Sequence, residues 1–137
     1  MRGILILSLL LVATPGLTYE GLVEPKTATF ERLELLNGET IAPLTVVYQT
    51  YGTLDSDGRN AILILHGMGG TAHAAGRHTP DGPRGYWDEL IGSGKPFDTD
   101  QYFVISPQAL AGAHRDGKPG SGTTGPHSIA PGTGRPY

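Results

Sequence analysis

Cysteine is absent from the 137 residues, which excludes disulfides, thiolate metal centres and a cysteine nucleophile. No apolar run approaches the roughly 18 residues that a spanning helix needs, so no stable membrane span is expected. Positive charge is scarce. Ten Lys and Arg against thirteen Asp and Glu leave a net charge of −3. With no basic cluster present, neither nucleic acid nor an anionic membrane surface is an expected partner. No internal repeat is visible. Glycine and proline, by contrast, are plentiful: 21 Gly and 11 Pro make up about 23% of the chain, just under the level that marks low complexity. They concentrate after Gly67, so the first half carries apolar periodicity and the second is loop-rich.

The first 18 residues stand apart. Met1 and Arg2 precede an apolar run from Ile4 to Ala13, broken by Ser8 and closed by Thr14-Pro15-Gly16. That layout is the one a secretory signal peptide has, and Gly16 and Thr18 supply small residues before a cut ahead of Tyr19. The expectation is a signal peptide or apolar arm over residues 1–18 and export to the periplasm or medium. The alternative is a cytoplasmic protein. Residues 19–137 then form part of a single domain.

Thr27 to Leu36 reads as a strand, Asn37-Gly38 as a hairpin turn, and Leu44 to Tyr51 as the returning strand, rich in β-formers. Gly52 to Asn60 is a polar turn region. Ala61-Ile62-Leu63-Ile64-Leu65 is apolar at every position, the pattern of a strand buried on both faces of a parallel sheet. Tyr102 to Ile105 is a second such run, ended by Ser106-Pro107. Parallel strands need a crossover, usually helical, and its one short helix candidate is Tyr86 to Ile91. After Ser106 no helix or strand is expected, and helix is too scarce to cover both faces of a sheet. The fold class is α/β, and incomplete.

The segment that carries chemistry is His66-Gly67-Met68-Gly69-Gly70, directly after the buried strand. In α/β-hydrolases the loop at this place supplies a backbone N–H to the oxyanion hole. Glycines let the backbone approach a carbonyl closely, and a fixed N–H stabilises the charge of a tetrahedral intermediate. The Met68 amide is the candidate donor, with Gly67 and Gly69 as substrate-binding neighbours. The competing reading is a glycine turn that only reverses the chain. His66 is then a hydrogen-bonded residue at a strand end.

Other candidates carry less. His66, His73 and His78 lack a carboxylate partner in a metal-ligand pattern, so no metal is expected. Gly92-Ser93-Gly94-Lys95 lacks the earlier glycine of a phosphate loop. Trp87 reads as packing and Asp88 as a helix-start charge. Lys95 and Arg135 could meet the phosphates of coenzyme A, although solvated surface charge is the default for both.

Several unusual segments, in order, resemble the homoserine O-acetyltransferase family. They include Gly21-Leu22-Val23-Glu24-Pro25, Val47-Tyr48-Gln49-Thr50-Tyr51-Gly52-Thr53-Leu54, His73-Ala74-Ala75-Gly76-Arg77-His78 and Gly85-Tyr86-Trp87-Asp88. Leu90 to Pro96, Asp98 to Ser106, Gly122 to Pro126 and Pro131 to Tyr137 continue the series. The resemblance implies an α/β-hydrolase fold entered through an antiparallel hairpin leading into parallel strands. It also implies a Ser-Asp-His triad that moves an acyl group from acetyl-CoA or another acyl-CoA to the homoserine hydroxyl, through an acyl-enzyme. No bound cofactor is implied beyond that co-substrate, and a homodimer is the assembly considered for the full-length protein.

The chain contains no Gly-x-Ser-x-Gly elbow: Ser93 and Ser121 have Ile91 and Pro119 two positions before them. By the resemblance, nucleophile, acid and base all fall beyond Tyr137, so none of the five histidines is the expected base. The expectation is a truncated front part, inactive alone, contributing Met68. Two further readings stand beside it, an exported α/β-hydrolase esterase and a non-catalytic fragment. The chain departs from the family where Gly67-Met68-Gly69-Gly70 replaces the usual Ala-Leu-Thr-Gly. Ala109-Leu110-Ala111-Gly112-Ala113 replaces a stretch that usually reads Asn-Leu-Gly-Gly-Cys, and His114 to Gly120 looks like an insertion.

Overall fold

A computed structural model describes residues 21–67, 70–110 and Thr123. The reading of residues 1–18 and the stretch after Leu110, Thr123 apart, lie outside the described residues. Eight strands follow one another: β1 (Lys26–Phe30), β2 (Leu33–Glu34), β3 (Thr40–Ile41), β4 (Leu44–Tyr51), β5 (Ala61–Leu63), β6 (Ile91–Gly92), β7 (Phe97–Asp98) and β8 (Phe103–Pro107).

The main sheet runs β1-β4-β8-β5, and two-stranded ladders join β2 to β3 and β6 to β7. β1 pairs antiparallel with β4, from Lys26 opposite Tyr48 to Phe30 opposite Leu44. The expected hairpin therefore forms, but its first arm is split. The chain breaks at Glu31-Arg32, and the Asn37-Gly38 turn closes the small β2–β3 ladder, with Gly38 at φ 86°. That positive φ is why glycine stands there.

β4 is long because Thr45, Val46, Val47 and Thr50 are β-branched and fit a pleated surface. Its alternation turns Val47, Gln49 and Tyr51 to the covered face. β8 does the same with Val104 and Ser106. β8 pairs antiparallel with β4 and parallel with β5, Ala61 lying opposite Phe103 and Leu63 opposite Ile105. The core gathers Val23, Tyr51, Ile64, Ala74, Ala75, Ile91 and Val104, with Ile62 and Phe97 against it.

Two expectations are corrected here. The Ala61–Leu65 run holds a parallel strand over Ala61–Leu63, but among the described residues it lies at the sheet edge and is covered on one face. Ile64 is 5% exposed, whereas Leu63 and Leu65 are 62% and 66% exposed. The described part of the crossover packs on the Ile64 side and leaves the other face open. Nor do Tyr86 to Ile91 form a helix. Tyr86 to Leu90 form turns and Ile91 opens β6, because the Leu90 carbonyl accepts the Phe97 amide instead of continuing a helical ladder. The amides of Tyr86 and Trp87 bond across to the carbonyls of His73 and Ala74. Ile91 and Gly92 then pair with Phe97 and Asp98.

Gly85 makes that contact between segments feasible. A Cβ there would lie 2.2 Å from both the carbonyl carbon of Ala74 and the amide nitrogen of Ala75. Only a bare backbone can approach so closely.

Candidate functional site

Parallel neighbours finish at the same sheet edge, so the ends of β5 and β8 bring His66 beside Gln108 and Ala109. Crevices outside the carboxyl ends of strands are where open α/β sheets bind ligands. The His66 ring is held on both sides. Its Nδ1 lies 2.8 Å from the Gly67 carbonyl, and its Nε2 takes the Ala109 amide at 3.0 Å and lies 3.2 Å from Gln108 Nε2. A carbonyl only accepts and a backbone amide only donates, so the ring proton sits on Nδ1 and Nε2 is the acceptor.

The Gly67 carbonyl also receives the Gly70 amide at 3.0 Å, which closes the turn. A Cβ on Gly70 would sit 2.9 Å from His66 Cβ and 3.1 Å from the Gly67 oxygen, so the turn requires glycine there. Gly67 is exposed, and a Cβ on it would meet nothing within 4 Å. Its Cα faces open space. Met68 and Gly69 lie outside the described residues. The two residues that flank them are anchored by His66 and by each other.

Gln108, which the sequence reading passed over, clamps this turn. It is 2% exposed, and its Oε1 accepts the Ala72 amide at 3.0 Å while Nε2 approaches the Gly70 carbonyl at 3.4 Å. Its own amide donates to Val47 O at 2.8 Å, continuing the sheet past Pro107. The sequence reading ended the strand at Ser106-Pro107. The overlooked signal was the two-residue alternation Val104, Ser106, Gln108 on one face.

A second polar cluster lies under the 71–85 segment. Gln49, 1% exposed, has its amide between Tyr51 Oη at 2.9 Å, His78 Nε2 at 2.6 Å and His73 Nδ1 at 3.2 Å. The rings of His73 and His78 lie 4.0 Å apart at a 40° tilt. Burial, followed by the neighbouring His73, holds His78 below its ordinary pKa of 6.5. A small pocket beside Thr71 and Ala72 is lined by both rings. Among the described residues no group of three or more His, Cys, Asp or Glu could hold a metal ion.

Trp87 stacks on Phe97, with centroids 5.8 Å apart at 12°, and meets Tyr86 at 5.7 Å. Asp88 is not the helix-start charge the sequence suggested. It is 4% exposed, accepts the Gly76 amide at 2.7 Å and pairs with Arg84 at 2.9 Å. Lys95 turns its ammonium to the Asp88 carbonyl, and Arg135 lies outside the described residues.

No protein-family model matches the chain. Homoserine O-acetyltransferase of Carboxydothermus hydrogenoformans is 51% identical over 118 residues, covering 85% of this chain and 29% of that protein. Homoserine O-succinyltransferase of Pseudomonas putida is 47% identical over 119 residues, covering 85% of this chain and 30% of that protein. The chain thus spans less than a third of the length of the curated relatives it matches. Among solved structures, homoserine O-acetyltransferase from Bacillus anthracis superposes with a TM-score of 0.76 at 42% identity, over 85% of this chain and 31% of that one. Esterase E22 superposes with a TM-score of 0.76 at 41% identity, over 85% and 32%. The mixed sheet described above is accordingly part of an α/β-hydrolase fold.

Proposed function

This chain is homologous to the homoserine O-acetyltransferases over 85% of its length, and from that premise we propose that it contributes the oxyanion-hole turn of an acyltransferase. In this reading an acyl group passes from an acyl-CoA to the hydroxyl of homoserine, and the Met68 amide faces the acyl oxygen as negative charge builds on it. The observation that carries the reading is the homology together with the anchored turn at the end of β5, where His66 and Gly70 hold the Gly67 carbonyl from either side. The clamp matters chemically. An N–H that is already oriented stabilises the intermediate without reorganising during the reaction.

The relatives leave the acyl group open, since one is named an acetyltransferase and another a succinyltransferase. Acetyl-CoA is the donor we favour, because the acetyltransferase has the higher identity. A second reading, an esterase, draws on the equal superposition with esterase E22. The two differ in what accepts the acyl group, homoserine or water.

A chimaera tests both. Residues 21–137 replace the aligned segment of the Carboxydothermus relative, and release of free CoA from acetyl-CoA is followed with and without homoserine. Homoserine-dependent release is the expected result, and Met68→Pro, which removes the N–H, should lower kcat by about 10²–10³. Ester hydrolysis without transfer to homoserine would establish the esterase reading instead. A folded chimaera with neither activity would refute both.

A further inference from the structure

The cluster of Tyr51, Gln49, His73 and His78 has donors and acceptors that can be assigned from one fixed end. Tyr51 Oη, on a residue 1% exposed, receives the amides of Ala74 and Ala75 at 3.0 Å each. Backbone amides can only donate, so the hydroxyl accepts twice and its single proton goes to Gln49 Oε1, 2.9 Å away. Oε1 of Gln49 is therefore an acceptor and Nε2 a donor.

The amide thus oriented dictates both imidazoles. His78 Nε2, 2.6 Å from Gln49 Nε2, must accept, which puts the proton of that ring on Nδ1. His73 Nδ1, 3.2 Å from Gln49 Oε1, must donate. His73 Nε2 lies 3.2 Å from the Pro83 carbonyl and must donate as well. One ring faces two acceptors, and the ring stacked on it faces a donor.

We propose that the His73–His78 pair holds a single charge, seated on His73, and that this proton closes a clip between strand β4 and the segment 79–85. The network is satisfied at that one level of protonation. Remove the proton, and a neutral His73 must give up either Gln49 or Pro83. Add a second, and a cationic His78 confronts both the Gln49 amide donor and the His73 cation. Because the two stacked rings repel when both are charged, His78 resists protonation, in line with its lowered pKa.

The surrounding charges are engaged elsewhere. Arg77 donates to the Gly82 carbonyl, Arg84 pairs with Asp88, and Lys26 on β1 donates to Thr50 on β4. Asp81 is exposed on the clipped segment itself. Among the described residues no carboxylate forms an ion pair with either ring, so neutral oxygens hold the proton. The clip adds to backbone bonds that bind the end of the same segment, Gly85 to Gly76 at 3.1 Å and Tyr86 to His73 at 3.3 Å. Releasing Pro83 would thus free the stretch at Pro83 alone, since Gly82 stays tied to Arg77 and Arg84 to Asp88.

His78 makes a contribution of its own with a fixed sign. Its folded pKa lies below 6.5, so that contribution is present above 6.5 and is lost as pH falls below it.

Long-range nitrogen–proton NMR on histidine-labelled protein, assigned with His73→Gln and His78→Gln, reads each ring directly. Where the pair carries one charge, the His73 ring should show protons on both nitrogens, while His78 shows one, on Nδ1. The amide signals of Asp81 and Gly82 should shift in His73→Gln. A neutral His73 beside a charged His78, or a proton on His78 Nε2, would overturn the proposal. Gln49→Glu supplies a second test, since it turns the donor facing His78 into an acceptor. His78 should then take up its proton about one pH unit higher, and an unmoved His78 titration would equally overturn the assignment.

Discussion

Tyr51→Phe removes one oxygen from the best-buried aromatic ring, and the structure lets the cost be worked out. The Tyr51 oxygen accepts the amides of Ala74 and Ala75, both on residues 0% exposed, and donates to Gln49 Oε1. Each buried donor left without an acceptor costs about 1–3 kcal/mol. Two such donors bring the expected loss to about 4 kcal/mol, a large share of the roughly 5–15 kcal/mol that a domain possesses. With a urea slope near 2 kcal/mol/M, the unfolding midpoint should fall by about 2 M with the slope unchanged. Tyr102→Phe is the control. Tyr102 is 39% exposed, and its loss should stay within about 0.5 kcal/mol. A midpoint shift for Tyr51→Phe no larger than that of the control would refute the reasoning, since the two alanine amides would then have other partners.

Four other outcomes are expected. Gly85→Ala should prevent accumulation of folded protein or cost more than about 3 kcal/mol in thermal melts, because its Cβ would meet backbone at 2.2 Å. Gly67→Ala, with nothing within 4 Å, should stay within about 1 kcal/mol in the same melts. Gln108→Leu should cost about 1–3 kcal/mol in urea unfolding, since the buried Ala72 amide loses its acceptor. Asp98 is held below the usual carboxylate pKa by the Asp100 amide, then the Gln101 side chain and the Gly94 amide. Its contribution is therefore present above a pH near 3.8 and lost as pH falls. The Tm gap between the parent and Asp98→Ala should close on acidification, and a gap independent of pH would refute that account.

Strand existence was legible where local pattern and environment agree. The β-branched run of β4 and the unbroken apolar run of β5 both became strands, and Asn37-Gly38 became a turn, because propensity and backbone geometry act over a few residues. The position of the turn at His66 to Gly70 was legible for the same reason, since a glycine cluster after an apolar strand has few other uses. Its support was not. Gln108 sits 42 residues from His66, and no local pattern marks a glutamine as the clamp of a distant turn.

By itself, then, the sequence determined that β4, β5 and β8 are extended, that the chain reverses at Asn37-Gly38 and which family it resembles, all of them properties of neighbouring residues or of their order. The tertiary structure alone decided that Tyr86 to Leu90 form turns leading into β6 instead of a helix, because the Leu90 carbonyl and Ile91 found partners in the strand at Phe97. It also decided that Asp88 is buried and that His73 and His78 face opposite ends of one glutamine amide. Those outcomes depend on which donors and acceptors meet across tens of residues of chain. Such pairing exists only once the backbone has closed.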